Sequence, residues 1–384
     1  MLYKFFVDIF LNSKLKLTIM NLSTIVNIAL KDIQTNIKTK RFTGILLIFV
    51  GFAVLAIYNV SSGSYAFDDP QLLQLAGKLR SMISPFTRIF LPFHQVLVKV
   101  VPFLGILLGA DLINQEIQKG TIRVTLSHPL YRDQFYIGKF LGALATVFIG
   151  LLIFYITGIG LTLVKGIPVT LFDLKVLSVL FPITFLYTLI YLSIGIFISI
   201  LIKNPKNTLI LGLILVIFVE MVYPFFAFKV ASNIAFKELQ EELEPYGLTL
   251  ERTGGLTSLE ERIKISGTLN EKIDMYDIIT RYRENTNYVY RKLTLFVPGE
   301  WYKRIISKIA VRKVCIGNCN TMPESSGMRI NANGDIILSD YTMGWEGSLR
   351  EALSFVWQYL ILMLSSFLCM FIVGYIKFIN ADLG

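Results

Sequence analysis

Two ionisable side chains interrupt runs that are otherwise apolar: Lys99 in FHQVLVKVVPFLG and Glu220 in LILVIFVEMVYPF. A charge inside hydrocarbon is costly, so such groups face a bundle interior, a water-filled path or one another. At an α-helical rise, Lys99 and Glu220 lie roughly 16 Å and roughly 18 Å from the same end of their segments. Equal depth suggests that they pair, or that Glu220 lines a solute route. The competing reading is a lysine that snorkels outward and a carboxyl kept neutral by its surroundings.

Other reactive chemistry is sparse. His94 and His128 are the two histidines, and neither belongs to an HExxH run or a cysteine cluster of zinc spacing, so no metal site is expected. No GxxxxGK[ST] segment follows a strand, and no acid or serine pair suits intramembrane hydrolysis. The chain is therefore expected not to be an enzyme and to bind no cofactor itself. Cys315 and Cys319 suit a disulfide in an oxidising compartment or, equally, two free thiols. Cys369 reads as a small apolar residue.

The densest polar pattern is DLINQEIQKGTIRVTLSHPLYRDQFYIGK, residues 111–139, between two long apolar stretches. Ile113 and Ile117 share a helical face, Gly120 suits a helix C-terminus, Thr121 caps a second short helix, and Pro129 ends it. Ile122 and Leu126 give that second helix an apolar stripe. Such a stripe needs a cover, either the membrane surface or a groove on a partner protein.

The elements that hold this loop follow from composition. Hydrophobic residues make up 54% of the 384 and charged residues 17%, too few charges to coat a soluble globule of this size. Six stretches approach the roughly 20 apolar residues needed to cross a bilayer: 43–60, 91–110, 140–164, 177–202, 208–228 and 353–376. Pro182 and Pro224 are expected to bend the fourth and fifth. Gly142, Thr146 and Gly150 form a small-residue ridge on the third that permits close helix approach.

The net charge of +10 does not require nucleic acid, because residues 229–350 hold 17 Lys/Arg against 16 Asp/Glu and the surplus flanks the spans. Lys31, Lys38, Lys40, Arg41, Lys119, Arg123, Arg132, Lys139, Lys203, Lys206 and Lys377 fall on one side. By the positive-inside bias that side is cytoplasmic and carries both termini. The expected fold is thus an all-α polytopic membrane protein with six transmembrane helices and a cytoplasmic loop at 111–139. Residues 20–42 form an amphipathic interfacial helix with Ile25, Ile28, Ala29, Ile33 and Ile37 on one face. Residues 1–19 are a tail of uncertain role that leaves Met1 and Met20 as alternative starts.

Residues 229–350 are expected to form an extracytoplasmic α+β domain inserted between helices five and six, with 351–384 as the last helix and a cytoplasmic C-terminus. Within that block, Ser258 and Glu261 read as a helix capping box, and KVCIGNC and MRINANGDIIL read as short strands with an Asn-Gly turn. A second capping box, Ser348 with Glu351, opens the last span.

Asp111, Glu116, Gly120-Thr121, Leu126, Pro129, Arg132, Gly138 and Lys139 stand in the order D, E, GT, L, P, R, GK. This order resembles the first cytoplasmic loop of type 2 export permeases of the ATP-binding-cassette (ABC) class. The likeness extends to the six spans, the amphipathic entry helix, the KNPKN loop at 203–207, and the FVPGEWYKRI run with Phe296, Pro298 and Tyr302. The closing Ala381-Asp382 departs from the basic-acidic pair frequent in that family.

The resemblance implies a permease of the cell membrane that works as a homodimer or heterodimer with separate ABC ATPase subunits, which hold the ATP and Mg. The loop then acts as a coupling helix, with Glu116, Arg123 and Arg132 as polar contacts and Ile117, Ile122 and Leu126 as apolar anchors. Two other classes stay open: a subunit that passes ATP-driven motion to an extracytoplasmic protein without moving solute, and a membrane sensor with an external ligand-binding domain.

Overall fold

The structure is a computed structural model. It describes residues 22–39, parts of 42–55, and 85–118, 120, 131–166, 169, 171–202, 204–246, 249–253, 262–266, 275–310, 329–330, 336–337 and 349–380.

The chain is predominantly helical. Helix α1 spans Leu22–Lys38, α2 Pro85–Asp111, α3 Asn114–Gln118, α4 Arg132–Val164, α5 Leu171–Leu201 and α6 Pro205–Ile217. A five-residue π turn, Phe218–Val222, joins α6 to α7, Tyr223–Leu243. After the antiparallel pair β1 (Thr249–Thr253) and β2 (Arg262–Ser266) come α8 (Met275–Leu293) and α9 (Pro298–Ala310). The short antiparallel pair β3 (Arg329–Ile330) and β4 (Ile336–Ile337) precedes α10, Leu349–Ile379.

Among the described residues, five helical stretches are long and apolar enough to cross a membrane: Val96–Gln118, Arg132–Val164, Asp173–Leu201, Pro205–Leu243 and Val356–Ile379. They correspond to the second through sixth of the expected spans. Of the first, 43–60, only fragments at 43–44, 46–48, 50–51 and 54–55 are described, and they are helical.

The π turn has a local cause. Pro224 has no N–H to give the carbonyl four residues back, so the ladder slips by one and Tyr223 N–H bonds the Phe218 carbonyl instead. The helix continues rather than breaking, and the resulting 39-residue rod is roughly 58 Å long, about twice a bilayer core.

Packing is organised by glycines where backbones touch. A Cβ on Gly105 would come 2.7 Å from the Thr188 carbonyl oxygen, and one on Gly195 3.1 Å from the Gly109 Cα, so α2 and α5 cross at near-backbone contact. The structure supplies the neighbour of the small-residue face on α4. A Cβ on Gly138 would meet Ile28, and one on Gly142 would meet Asp32 and Ala29. The ridge therefore seats the amphipathic helix α1 rather than another span, with Ile25 and Ala29 buried beneath it.

Residues 229–350 do not stay apart from the bundle. Helix α8 runs antiparallel along α7, held where the Ser232 and Tyr282 hydroxyls meet at 2.7 Å and where the Tyr223 hydroxyl donates to the Leu293 carbonyl at 2.7 Å. The chain then turns back as α9, whose Trp301, Tyr302, Ile305, Ile306 and Ile309 are buried in the same core as α2, α5 and α10. The i, i+3, i+4 spacing of those side chains makes one apolar face, and the spans supply its cover.

One local expectation is corrected. Ser258 and Glu261 predict a box opening a helix, yet Arg262–Ser266 is a strand paired with Thr249–Thr253. In RIKIS the β-branched isoleucines alternate with polar residues, a period of two that outweighs the cap signal. Ser258, Glu261 and the Asn-Gly turn lie outside the described residues. The last span does begin at Leu349, directly after Ser348.

Candidate functional site

Two polar assemblies stand out against the apolar bundle, one at the end where α2 meets the 111–139 loop and one deeper inside.

At the loop end, α2 stops at Asp111 and a turn leads into α3. The orphan donors at the start of α3 are met from another helix: the backbone N–H groups of Ile113 and Asn114 both donate to Ser199 Oγ on α5, at 3.3 and 3.1 Å. The Asn114 side chain donates to Thr208 Oγ1 on α6 at 2.6 Å. Ile113 is fully buried, and Ile117 packs partly against the core. Gly120 takes φ +68 while its N–H bonds the Ile117 carbonyl, ending α3 in the left-handed conformation that glycine adopts most readily.

The same short helix is tied by charge. Lys139 Nζ on α4 lies 2.7 Å from Glu116 Oε1 on α3 and 2.7 Å from Asp32 Oδ1 on α1. Lys139 and Asp32 are both largely buried, and the lysine also sits over the Phe135 ring. Burial pushes the Asp32 carboxyl above its usual range, with Lys139 opposing that shift by charge and hydrogen bond. Arg132, at the start of α4, donates to the Ile379 carbonyl at the end of α10 at 3.1 Å. Below it, Phe135 stacks on Phe378, and the Tyr136 hydroxyl donates to the Phe371 carbonyl at 3.4 Å.

Glu116 and Lys139 are therefore joined directly, Arg132 is tied instead to the end of α10, and α3 is fastened to α1, α4, α5 and α6. Thr121, Ile122, Arg123, Leu126 and Pro129 lie outside the described residues. So do Cys315 and Cys319.

The anchoring through Ser199 is testable by itself. Ser199→Ala leaves two buried backbone donors without their acceptor, a cost of about 1–3 kcal/mol for each buried group left unsatisfied. The expected result is faster amide hydrogen exchange at Ile113 and Asn114 with the spans still protected; unchanged exchange there would count against the anchoring.

Deeper in the bundle, the π turn places Glu220 where its side chain is buried. Tyr191 on α5 donates its hydroxyl to Glu220 Oε1, and the backbone N–H of Gly299 donates to the same oxygen at 3.0 Å. Gly299 lies in the first turn of α9, so the carboxylate caps that helix from a different segment. A Cβ at position 299 would overlap the carboxylate, which is why only glycine fits there.

A second string of hydroxyls holds α9 one turn further on. Thr184 Oγ1 is 2.6 Å from the Tyr302 hydroxyl and 2.7 Å from that of Tyr155, which meets His94 Nε2 at 3.1 Å. Tyr187 stacks on Tyr302 at 4.6 Å with an 8° interplanar angle, and its hydroxyl donates to the Val98 carbonyl at 3.0 Å.

Lys99 is not part of this assembly. Among the described residues no ion pair joins it to Glu220, and it is exposed. Equal depth set the height of the two residues but not their azimuth. Leu97, Val98 and Val101 take the inward face of α2, which turns Lys99 outward.

Several members of these assemblies escaped the sequence reading. Asp32 carried a usable signal: it is the sole acid in residues 21–41 and falls on the stripe of Ile25, Ile28 and Ala29. Ser199, Thr208, Tyr191 and Gly299 carried none, because each matters through a partner distant in sequence.

The family model described as ABC-2 family transporter protein matches residues 26–383, nearly the whole chain. No curated protein matches it. The chain belongs to the ABC-2 transporter family and is a multi-pass membrane permease subunit of an ABC system.

Proposed function

We propose that this permease is a dimeric exporter subunit of the cell membrane, driven by separate ATPase subunits that grip the loop at 111–139 from the cytoplasm. Residues 43–60 supply a sixth span, both termini are cytoplasmic, and 229–350 faces outside except where α9 re-enters the bundle. ATP and its magnesium reside on the partner.

One observation carries the coupling: α3 is bonded through Ser199, Thr208 and Lys139 to four other helices. A push on a solvated loop would dissipate in loop motion. A push on α3 is delivered at once to α2 through the chain, to α5 and α6 through hydroxyls, and to α4 and α1 through the ion triad. Arg132 and the ring contacts beneath it extend the load to α10. The inner ends of the spans then rock as a unit between inward-open and outward-open arrangements.

A second reading draws on the 39-residue rod Pro205–Leu243, which starts at the loop end and runs well past bilayer thickness into the outer block. Such a rod suits a subunit that passes motion to an extracytoplasmic protein.

Purification of the chain from its native membrane separates these readings. An associated ATPase stimulated by a solute supports export, whereas stimulation only by a protein bound to 229–350 supports transmission. Isolation of an intact chain with no ATPase would overturn both and leave the sensor reading.

A further inference from the structure

We infer that the C-terminal end of helix α8, with the turn that follows it, is a binding surface for the headgroup of an anionic phospholipid. The outer leaflet assigned to that lipid rests on the reading that 229–350 faces outside; the lipid chemistry does not. Tyr288, Arg291, Lys292 and Leu295 recur at i, i+3, i+4 and i+7, and all four are exposed, as is Phe296. Tyr282 and Thr286 are buried on the opposite face. Thr294 N–H still bonds the Tyr290 carbonyl at 2.9 Å, so the exposed face continues past the end of α8 to Leu295.

Depth decides what covers this face. The rod Pro205–Leu243 starts at the loop end, so Tyr223 lies roughly 27 Å along it and Ser232 roughly 40 Å. Tyr223 bonds the Leu293 carbonyl and Ser232 meets Tyr282, so α8 descends from beyond the bilayer to its outer edge. Trp357 marks the same edge from another helix. It is exposed and stands roughly 33 Å from the Ile379 end of α10, where an interfacial aromatic belongs. Arg291 and Lys292 therefore sit at headgroup level, with Leu295 and Phe296 just below them in hydrocarbon. Phe296 is 82% exposed, a placement that water disfavours and acyl chains accept.

Charge then selects the lipid. Among the described residues no carboxylate pairs with Lys292, whose ammonium lies 4.3 Å from the Tyr288 ring centroid. Arg291 places a second cation beside it. Two adjacent cations over an apolar tip match a phosphate over acyl chains. A zwitterionic headgroup brings its own ammonium to the same place and gains less. A second copy of this chain fits worse, because a two-fold contact centred here sets each cation against its counterpart. A soluble protein does not reach Leu295 and Phe296 at their depth.

The test places a photocrosslinker at the tip, Phe296→p-benzoylphenylalanine, in the full chain in nanodiscs of equal parts phosphatidylglycerol and phosphatidylcholine. Mass spectrometry then identifies what is captured. Phosphatidylglycerol adducts are expected to exceed phosphatidylcholine adducts at least fivefold. Lys292→Gln is expected to lower that ratio about fivefold, and Lys292→Arg to preserve it. Lys237→Gln, which removes an exposed cation of α7 roughly 48 Å along the rod, is expected to leave it unchanged. Equal capture of the two lipids, or a K292Q chain with the same ratio as the parent, would overturn the assignment. Capture of a second copy in place of lipid would overturn it too and give the face to a dimer. Both leaflets of a nanodisc carry the same mixture, so the result holds whichever side 229–350 faces. Protease access to 229–350 in right-side-out vesicles tests that reading separately.

Discussion

Lys139→Met is expected to lower the stability of the purified chain by about 3–5 kcal/mol and to abolish any ATP turnover coupled through the loop. The side chain is buried and bonded at once to Asp32 and Glu116. Methionine fills much the same volume, so the loss is not a cavity. It comes from two carboxylates left facing each other, one of them largely buried, with no cation between them. Removing one partner of a buried pair costs more than the pair itself contributes. The triple variant D32N/E116Q/K139M removes the stranded charges and is expected to recover most of the unfolding midpoint. Coupling should not recover with it, because three helices are then no longer held by one ammonium. Thermal unfolding in detergent reads the first effect, and ATPase stimulation in the assembled complex reads the second. A K139M chain that melts with the unsubstituted protein would sink the triad as the structural anchor of the loop.

Gly299→Ala is expected to be nearly as damaging, although it adds a single methyl. The new carbon would overlap the Glu220 carboxylate, so either the carboxylate must leave Tyr191 and the Gly299 N–H or the first turn of α9 must back out. Overpacking costs of this kind run to about 1–3 kcal/mol, and an acceptor withdrawn from a buried N–H adds to them. A double-mutant cycle separates overlap from general disruption. In a Glu220→Ala background the clashing atoms are absent, so G299A is expected to cost at least about 1 kcal/mol less than it does alone. Equal costs in the two backgrounds would show that the contact between α9 and the π turn is not what glycine protects. Faster exchange or proteolysis at the 294–297 turn is the accompanying sign of a loosened α9.

Much of the architecture was legible because it depends on composition and local period. Apolar runs of bilayer length need no partner to identify them, and five of the six appear as membrane-length helices among the described residues. The stripe of α1 and the start of the last helix were readable for the same reason. The ridge on α4 announced a close approach without naming its neighbour. Glycine tells how near a backbone comes but not whose backbone it is, and the neighbour proved to be α1. Pro224 announced a distortion, but whether the helix would kink or widen depended on the hydrogen bonds its neighbours could re-form.

The amino-acid order by itself determined that this chain lives in a bilayer, that its polar island spans residues 111–139, and that Glu220 sits at membrane depth, where its charge is costly. Those conclusions follow from transfer energies, which are properties of each residue and its nearest neighbours. Only the tertiary structure decided that Glu220 is buried and which groups surround it, that Lys99 is not among them, and that Asp32, Ser199 and Thr208 lock the loop's first helix to the rest. The physical reason is azimuth and reach. A helix fixes how high a side chain sits, while the packing of helices far apart in sequence fixes which way it points and what it meets.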